Sequence, residues 1–189
     1  VGSLGWGFWG KCVNGEAHVL FKMRVDCMEN LPAGPYIRCP NHSSFLDAPI
    51  LTAALPWKAF HNVFYVGTSE IFGAGSMRTL ADFLHLIPVD PDSNLVPAMR
   101  AGAYGLRAEK ILVMYPEGER SIDGTPTKFK KDAAILCQHL NVPIVHVAEY
   151  GFHSCWPRGK RFQGFQHLSR LVGTPLAPHL NGTPEFGTH

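Results

Sequence analysis

The sequence predicts an α/β protein: a single domain with a mixed, largely parallel central sheet flanked by helices. Three observations predict it. Strand-like and helix-like segments alternate along most of the chain. Two runs, Ile111–Tyr115 and Val142–Ala148, are apolar for the length of a strand, as strands buried on both faces are. The 189 residues, 46% of them hydrophobic, suffice for one core and fall short of two.

The elements follow in order. Residues 1–17 carry Trp6, Phe8 and Trp9 among glycines, and read as an amphipathic segment for a membrane interface, a partner or the domain's own core. The domain proper spans 18–178, and 179–189 is a turn-rich tail expected to fray. His18–Asp26 alternates as a strand does, and Tyr36–Cys39 is a second, short strand. After Asp47, Pro49 and good helix formers start a helix that Pro56 stops. Val63–Val66 is a strand, and Ser69–His85 is helical despite Gly73 and Gly75. Leu86–Asp90 is a strand. Ser93–Glu109 is a helix that Ser93 can cap. Lys131–Leu140 is the last long helix, between the two apolar strands. Past Gly151 the pattern loosens, with Phe162–Leu168 and Arg170–Val172 as late strands.

Composition excludes several classes. A net charge of +2 argues against a general nucleic-acid binder. Five scattered cysteines without a CxxC read as reduced thiols on the cytosolic side. Ten histidines show no metal-ligand spacing, and His85, His139 and His167 stand singly in apolar surroundings, where a structural role is the ordinary one. No apolar run reaches the ~18 residues of a spanning helix.

Two polar loops carry chemistry. In Pro40–Asp47, His42 and Asp47 stand five positions apart. On one ideal helix they would diverge by about 140°. They meet only if His42 lies on a loop and Asp47 at a helix start, and there the carboxylate fixes the imidazole tautomer. Such a pair suits a general base, and no serine or cysteine elbow accompanies it, so if it is catalytic the nucleophile arrives with the substrate. In Pro116–Ser121, Arg120 offers a bidentate grip on phosphate or carboxylate. Glu117 either accepts hydrogen bonds from a polyol or orients Arg120, and a surface ion pair on a turn is the plainer alternative. Both loops follow strands, so both are expected around one crevice at the strands' carboxyl ends.

Together these blocks resemble the glycerolipid (glycerophosphate/lysophospholipid) acyltransferases. Asn41-His42-Ser43-Ser44-Phe45-Leu46-Asp47 matches the family's NHxSxxD, and Tyr115-Pro-Glu-Gly-Glu-Arg-Ser121 matches [FY]PEGTRS with Glu119 for threonine. Phe129-Lys-Lys-Asp-Ala-Ala134 is similar to FKKGAA, and Val142-Pro-Ile-Val-His-Val147 to VPIVPV. The family's usual arginine after a Phe-Ile-Asp-like strand is missing: Leu86-Ile-Pro-Val-Asp90 leads into Pro91-Asp92. Ile87–Gly102 and Glu117–Gly124 resemble the subgroup fused to acyl-CoA or acyl-ACP ligases, and with Val1 as a start this points to a domain of a larger protein.

The resemblance implies a glycerolphosphate acyltransferase-like fold and transfer of an acyl group from acyl-CoA or acyl carrier protein to a lysophospholipid such as 1-acylglycerol-3-phosphate. His42 and Asp47 are the implied catalytic pair. Asn41, Ser44, Glu117, Gly118, Arg120, Ser121 and Lys130 are the implied substrate-binding set. Arg78, Arg100, Lys128 or Lys130 stands in for the missing arginine. Backbone amides of the His42 loop or the Pro143–Val147 strand steady the oxyanion, and the helices at Ile50–Leu55 and Ile71–Leu84 line an acyl tunnel. No metal or bound cofactor is called for. The expected place is the cytoplasmic face of a membrane, as a peripheral protein. A catalytically silent lipid-binding domain and a thioester hydrolase are the alternatives.

Overall fold

The computed structural model describes residues 19–53, 55, 57–68, 76–89 and 96–178. Its strands are β1 (Arg24–Asp26), β2 (Ile37–Pro40), β3 (Val63–Thr68), β4 (Leu86–Val89), β5 (Ile111–Val113), β6 (Ile144–Tyr150) and β7 (Ser169–Val172). Its helices are α1 (Asp47–Ala53), α2 (Trp57–Phe60), α3 (Ser76–Phe83), α4 (Val96–Arg107), α5 (Asp132–Leu140) and α6 (Phe152–Cys155). The strands form one seven-stranded sheet in the order β1-β7-β6-β2-β5-β3-β4. All pairings are parallel except β6 with β7. The expected mixed, largely parallel sheet is therefore the one observed.

Alternation along the strands divides the core into two layers, because successive side chains leave opposite faces. Tyr36, Val63, Tyr65, Ile111, Val113, Val145 and Val147 join Leu51 of α1 on one face. Ile37, Cys39, Phe64 and Leu112 meet Leu106 of α4 and Leu136 of α5 on the other. The second face requires a close approach at Gly105, where a β-carbon would strike the Phe64 ring. A third cluster, with Phe21, Met23, Ile50, Phe152 and Leu168, closes the β1/β7 edge.

Several local expectations are corrected. The strand expected over His18–Asp26 is confined to Arg24–Asp26. Lys22 at φ 42° breaks the extended run, and Phe21 and Met23 on either side of it both lie in the third cluster. β6 is not buried on both faces: its residues alternate, leaving His146 and Tyr150 exposed, and on the α5 side Ile144 packs against the second cluster. Phe162–Leu168 is irregular, with Gly164 at φ 111°. The short helices α2 and α6 were not foreseen. The segments expected at 1–17 and 179–189 lie outside the described residues, as do Trp6, Phe8, Trp9, Cys12, Ile71, Ser93 and Pro91. The other four cysteines are free thiols, and His85 shares a 3.0 Å hydrogen bond with the Val63 carbonyl, which is a structural role.

Candidate active site

β2 lies between β5 and β6, so the chain leaving its carboxyl end at Pro40 emerges beside the chain leaving β5. This juxtaposition brings together loops 75 residues apart in sequence. The first turn out of β2 is pinned by Asn41. Its amide donates to the Glu149 carbonyl at 3.1 Å, and its Oδ1 accepts the Glu149 N–H at 2.6 Å.

His42 follows on an irregular loop, and Asp47 opens α1, as the five-residue step requires. His42 Nδ1 lies 2.9 Å from Asp47 Oδ2. The same oxygen accepts the Ser43 and Ser44 N–H groups at 2.7 and 2.8 Å. Small residues at 43 and 44 let the backbone wrap the carboxylate this tightly. Asp47 is buried and the imidazole is 20% exposed, which leaves Nε2 as the nitrogen not engaged by Asp47. The His42 ring stacks on Tyr115, with centroids 3.8 Å apart.

The second loop holds the first by its backbone. Glu117 is 3% exposed, and its Oε1 accepts the His42 N–H at 2.7 Å. Its Oε2 accepts the Thr127 N–H at 2.8 Å and the Thr127 hydroxyl at 3.1 Å. The Ser121 N–H donates to the His42 carbonyl at 2.8 Å. Gly118, at φ 79°, makes the turn, and a β-carbon there would meet the Lys130 side chain. The guanidinium of Arg120 lies 3.5 Å above the Phe45 ring, and its Nη1 is buried without a protein partner. Glu119, in place of the family's threonine, forms an exposed 2.7 Å ion pair with Arg158, where solvent screens the attraction.

The electrostatics favour a neutral base. Burial, and then the Arg120 cation, push the His42 imidazole down to about 3. Burial pushes the Asp47 carboxyl up to about 7, against the Ser44 and Ser43 N–H groups and the cations of Arg170 and Arg120. Burial likewise holds the Cys39 thiol at about 12, so this cysteine is no nucleophile.

The structure redistributes the residues expected to touch substrate. Asn41, Ser44, Glu117 and Ser121 spend their polar groups on the protein: Ser44 Oγ donates to the Trp156 carbonyl and accepts the Leu46 N–H, and Ser121 Oγ donates to Asp123 and accepts the Gly124 N–H. Gly118 supplies a turn. Arg120 keeps an unpartnered donor, and Lys130 is exposed beside Gly118. Arg78, Arg100 and Lys128 are also exposed. The expectation that amides of the His42 loop steady an oxyanion fails, because those of residues 41–46 already have acceptors.

Behind the pair lies a charge cluster that sequence reasoning missed. Arg170 Nε donates to Glu149 Oε1 at 2.7 Å, and its Nη1 donates to the Ile50 carbonyl in α1 at 3.2 Å. Arg38, 1% exposed, is an electrostatic neighbour of both Glu149 and Arg170. The available signal was a charge on the inward face of an otherwise apolar strand, at Arg38 and again at Glu149.

Among the described residues, no group of His, Cys, Asp or Glu forms a metal site, and no helix is long and apolar enough to cross a membrane. The acyltransferase family profile matches residues 22–149. The chain is 29% identical over 141 residues to the chloroplastic 1-acyl-sn-glycerol-3-phosphate acyltransferase LPAT1 of Arabidopsis thaliana, covering 74% of this chain and 39% of that protein. It is 26% identical over 158 residues to the Homo sapiens 1-acyl-sn-glycerol-3-phosphate acyltransferase alpha, covering 82% and 54%. It thus spans about half or less of the length of these curated relatives. The crystal structure of the 1-acyl-sn-glycerophosphate acyltransferase PlsC from Thermotoga maritima superposes with a TM-score of 0.72 at 21% identity, over 92% of this chain and 71% of that one, a likeness of fold.

Proposed function

The chain belongs to the acyltransferase family, and from that premise we propose that it moves a fatty acyl group from an acyl thioester to the free hydroxyl of a lysophospholipid. An acceptor such as 1-acylglycerol-3-phosphate fits the names of the relatives. One observation carries the reading: Asp47 Oδ2 sits 2.9 Å from His42 Nδ1 while two backbone N–H groups hold it, so Nε2 is left to take a proton.

Nε2 removes the proton of the acceptor hydroxyl as the oxygen attacks the thioester carbonyl carbon. A C–O bond forms, the tetrahedral intermediate collapses, the C–S bond breaks, and the thiolate leaves with the proton from His42. No acyl-enzyme is needed. Alignment of the two substrates supplies up to ~7–11 kcal/mol, and general base catalysis a factor of ~10²–10⁴. Arg120 has a donor to spare beside His42, which suits the acceptor's phosphate. Lys130 extends the positive charge around Gly118. The reaction asks for no bound cofactor, and CoA or acyl carrier protein enters as co-substrate.

In this reading the protein works as a peripheral protein at a membrane's cytoplasmic face. The residues at Ile87–Gly102 and Glu117–Gly124 favour the subgroup joined to acyl-CoA or acyl-ACP ligases. Thiol release from acyl-CoA and from acyl carrier protein, with and without lysophospholipid, tests the assignment. Acceptor-dependent release is expected. Acceptor-independent release makes the protein a hydrolase, and no release with any donor or head group leaves a silent lipid-binding domain. Either outcome overturns the proposal.

A further inference from the structure

The loop after α6 is bonded directly to the loop that carries the catalytic pair. The Phe45 N–H and the Ser44 hydroxyl both donate to the Trp156 carbonyl, and Ser44 and Pro157 form a β-bridge. From this junction an aromatic ladder runs outward. Phe45 lies 5.2 Å from Trp156, Trp156 lies 5.9 Å from Phe162, and Phe162 lies 5.4 Å from Phe165. Its outer rungs are not core: Phe162 is 41% and Phe165 55% exposed, and Val19 and Leu20, just before the Phe21 that touches Phe165, are exposed too. Rings left in water beside a reaction centre carry a hydration cost that a partner would remove.

Charge selects the partner. Arg158, Lys160 and Arg161 project from the same loop. Lys160 and Arg161 have no carboxylate partner among the described residues. The sequence holds no Asp or Glu between Glu149 and Glu185. The first 18 residues of this chain are a poor match for such a patch, because they bring one acid, Glu16, alongside the base Lys11. A bilayer containing anionic lipid supplies both an apolar interior for the rings and phosphates for the cations.

We propose that the Trp156–Phe165 loop, continued by Phe45, is the face on which the protein rests on an anionic membrane, so that the His42–Asp47 pair opens where a lysophospholipid lies. The placement of the pair over a lipid acceptor rests on the acyl-transfer reading; the docking itself does not. The rings enter the interfacial layer. Lys160 and Arg161 contact the headgroups.

Co-flotation of the full chain with phosphatidylcholine vesicles, with and without phosphatidylglycerol and with no acyl donor, measures docking apart from chemistry. The wild-type chain is expected to float only with the anionic vesicles. K160Q/R161Q should weaken binding about 25-fold, at roughly fivefold per cation near an anionic surface. F162S/F165S should weaken it by about tenfold or more, from lost apolar insertion. All four side chains are exposed, and circular dichroism checks that the fold is kept. On a monodisperse short-chain acceptor both variants should turn over as the wild type does, while losing activity on vesicle-borne acceptor. Equal binding to neutral vesicles, or undiminished binding by either loop variant, overturns the proposal. So does loss of binding in W6S/W9S while both loop variants still bind, which would place docking at the start of the chain. Loss of turnover on the monodisperse acceptor would make the ladder part of the substrate site and overturn it as well.

Discussion

Replacing Glu117 with glutamine tests whether this residue binds a head group or ties two loops together. A carboxylate only accepts hydrogen bonds, and both oxygens of Glu117 accept from protein: the His42 N–H at 2.7 Å on one side, the Thr127 N–H and hydroxyl at 2.8 and 3.1 Å on the other. A glutamine has one oxygen and one NH₂ group. Whichever way it turns, the NH₂ meets a backbone N–H. One charge-assisted hydrogen bond is lost at a site 3% exposed, which costs about 1.5–3 kcal/mol. That lowers the melting temperature by about 3–12 °C for a chain of this size. Because the His42 backbone is one of the two ends, the imidazole shifts with it, and kcat falls by up to about 10² for a displacement near 1 Å. The assay is thermal unfolding together with kcat and acceptor KM under saturating acyl donor. A variant with unchanged melting temperature and kcat but a raised acceptor KM would refute the tie and restore Glu117 to the head group.

Three further outcomes follow from the same geometry. His42→Ala should cut acyl transfer by about 10²–10⁴ while the chain stays folded, since Glu117 still holds the backbone N–H of residue 42; retained turnover by the folded, purified variant would sink the mechanism. Arg120→Ala should raise the acceptor KM and also shift the pH profile. The Arg120 cation disfavours protonation of His42, so its removal raises the imidazole pKa, and the acid-side loss of kcat/KM, as the base protonates, begins at a higher pH than in the wild type. An acid limb at the same pH or lower would contradict this coupling. Arg170→Met should destabilise the domain by about 3–5 kcal/mol, the cost of leaving a buried charge unpaired. Glu149→Gln combined with it should recover much of the loss in a denaturant titration, and equal stability of the single and double variants would refute the pairing.

The fold was largely legible because it rests on local signals. Apolar strands and periodic helices name themselves, and the loop-to-helix placement of His42 and Asp47 follows from helical geometry alone. Other features were hidden for physical reasons. Asn41, Ser44, Glu117 and Ser121 carry groups suited to a substrate, and nothing in the sequence shows that backbone from distant segments already occupies them. The irregular course of Phe162–Leu168 leaves no mark in the sequence, because aromatic residues fit a strand as well as an exposed ladder.

What the sequence determined by itself was the inventory: an imidazole and a carboxylate at a spacing that only a loop-helix junction reconciles, a second loop with glutamate and arginine, and strands to carry both. The tertiary structure decided how each group is used. Parallel pairing of β2 with β5 and β6 brings Glu117 to the His42 backbone and Glu149 to Asn41, and antiparallel pairing of β7 with β6 sets Arg170 beside Glu149, within the electrostatic reach of Asp47. Those contacts join residues far apart along the chain, so they come into being only when the sheet is complete, and no local pattern encodes them.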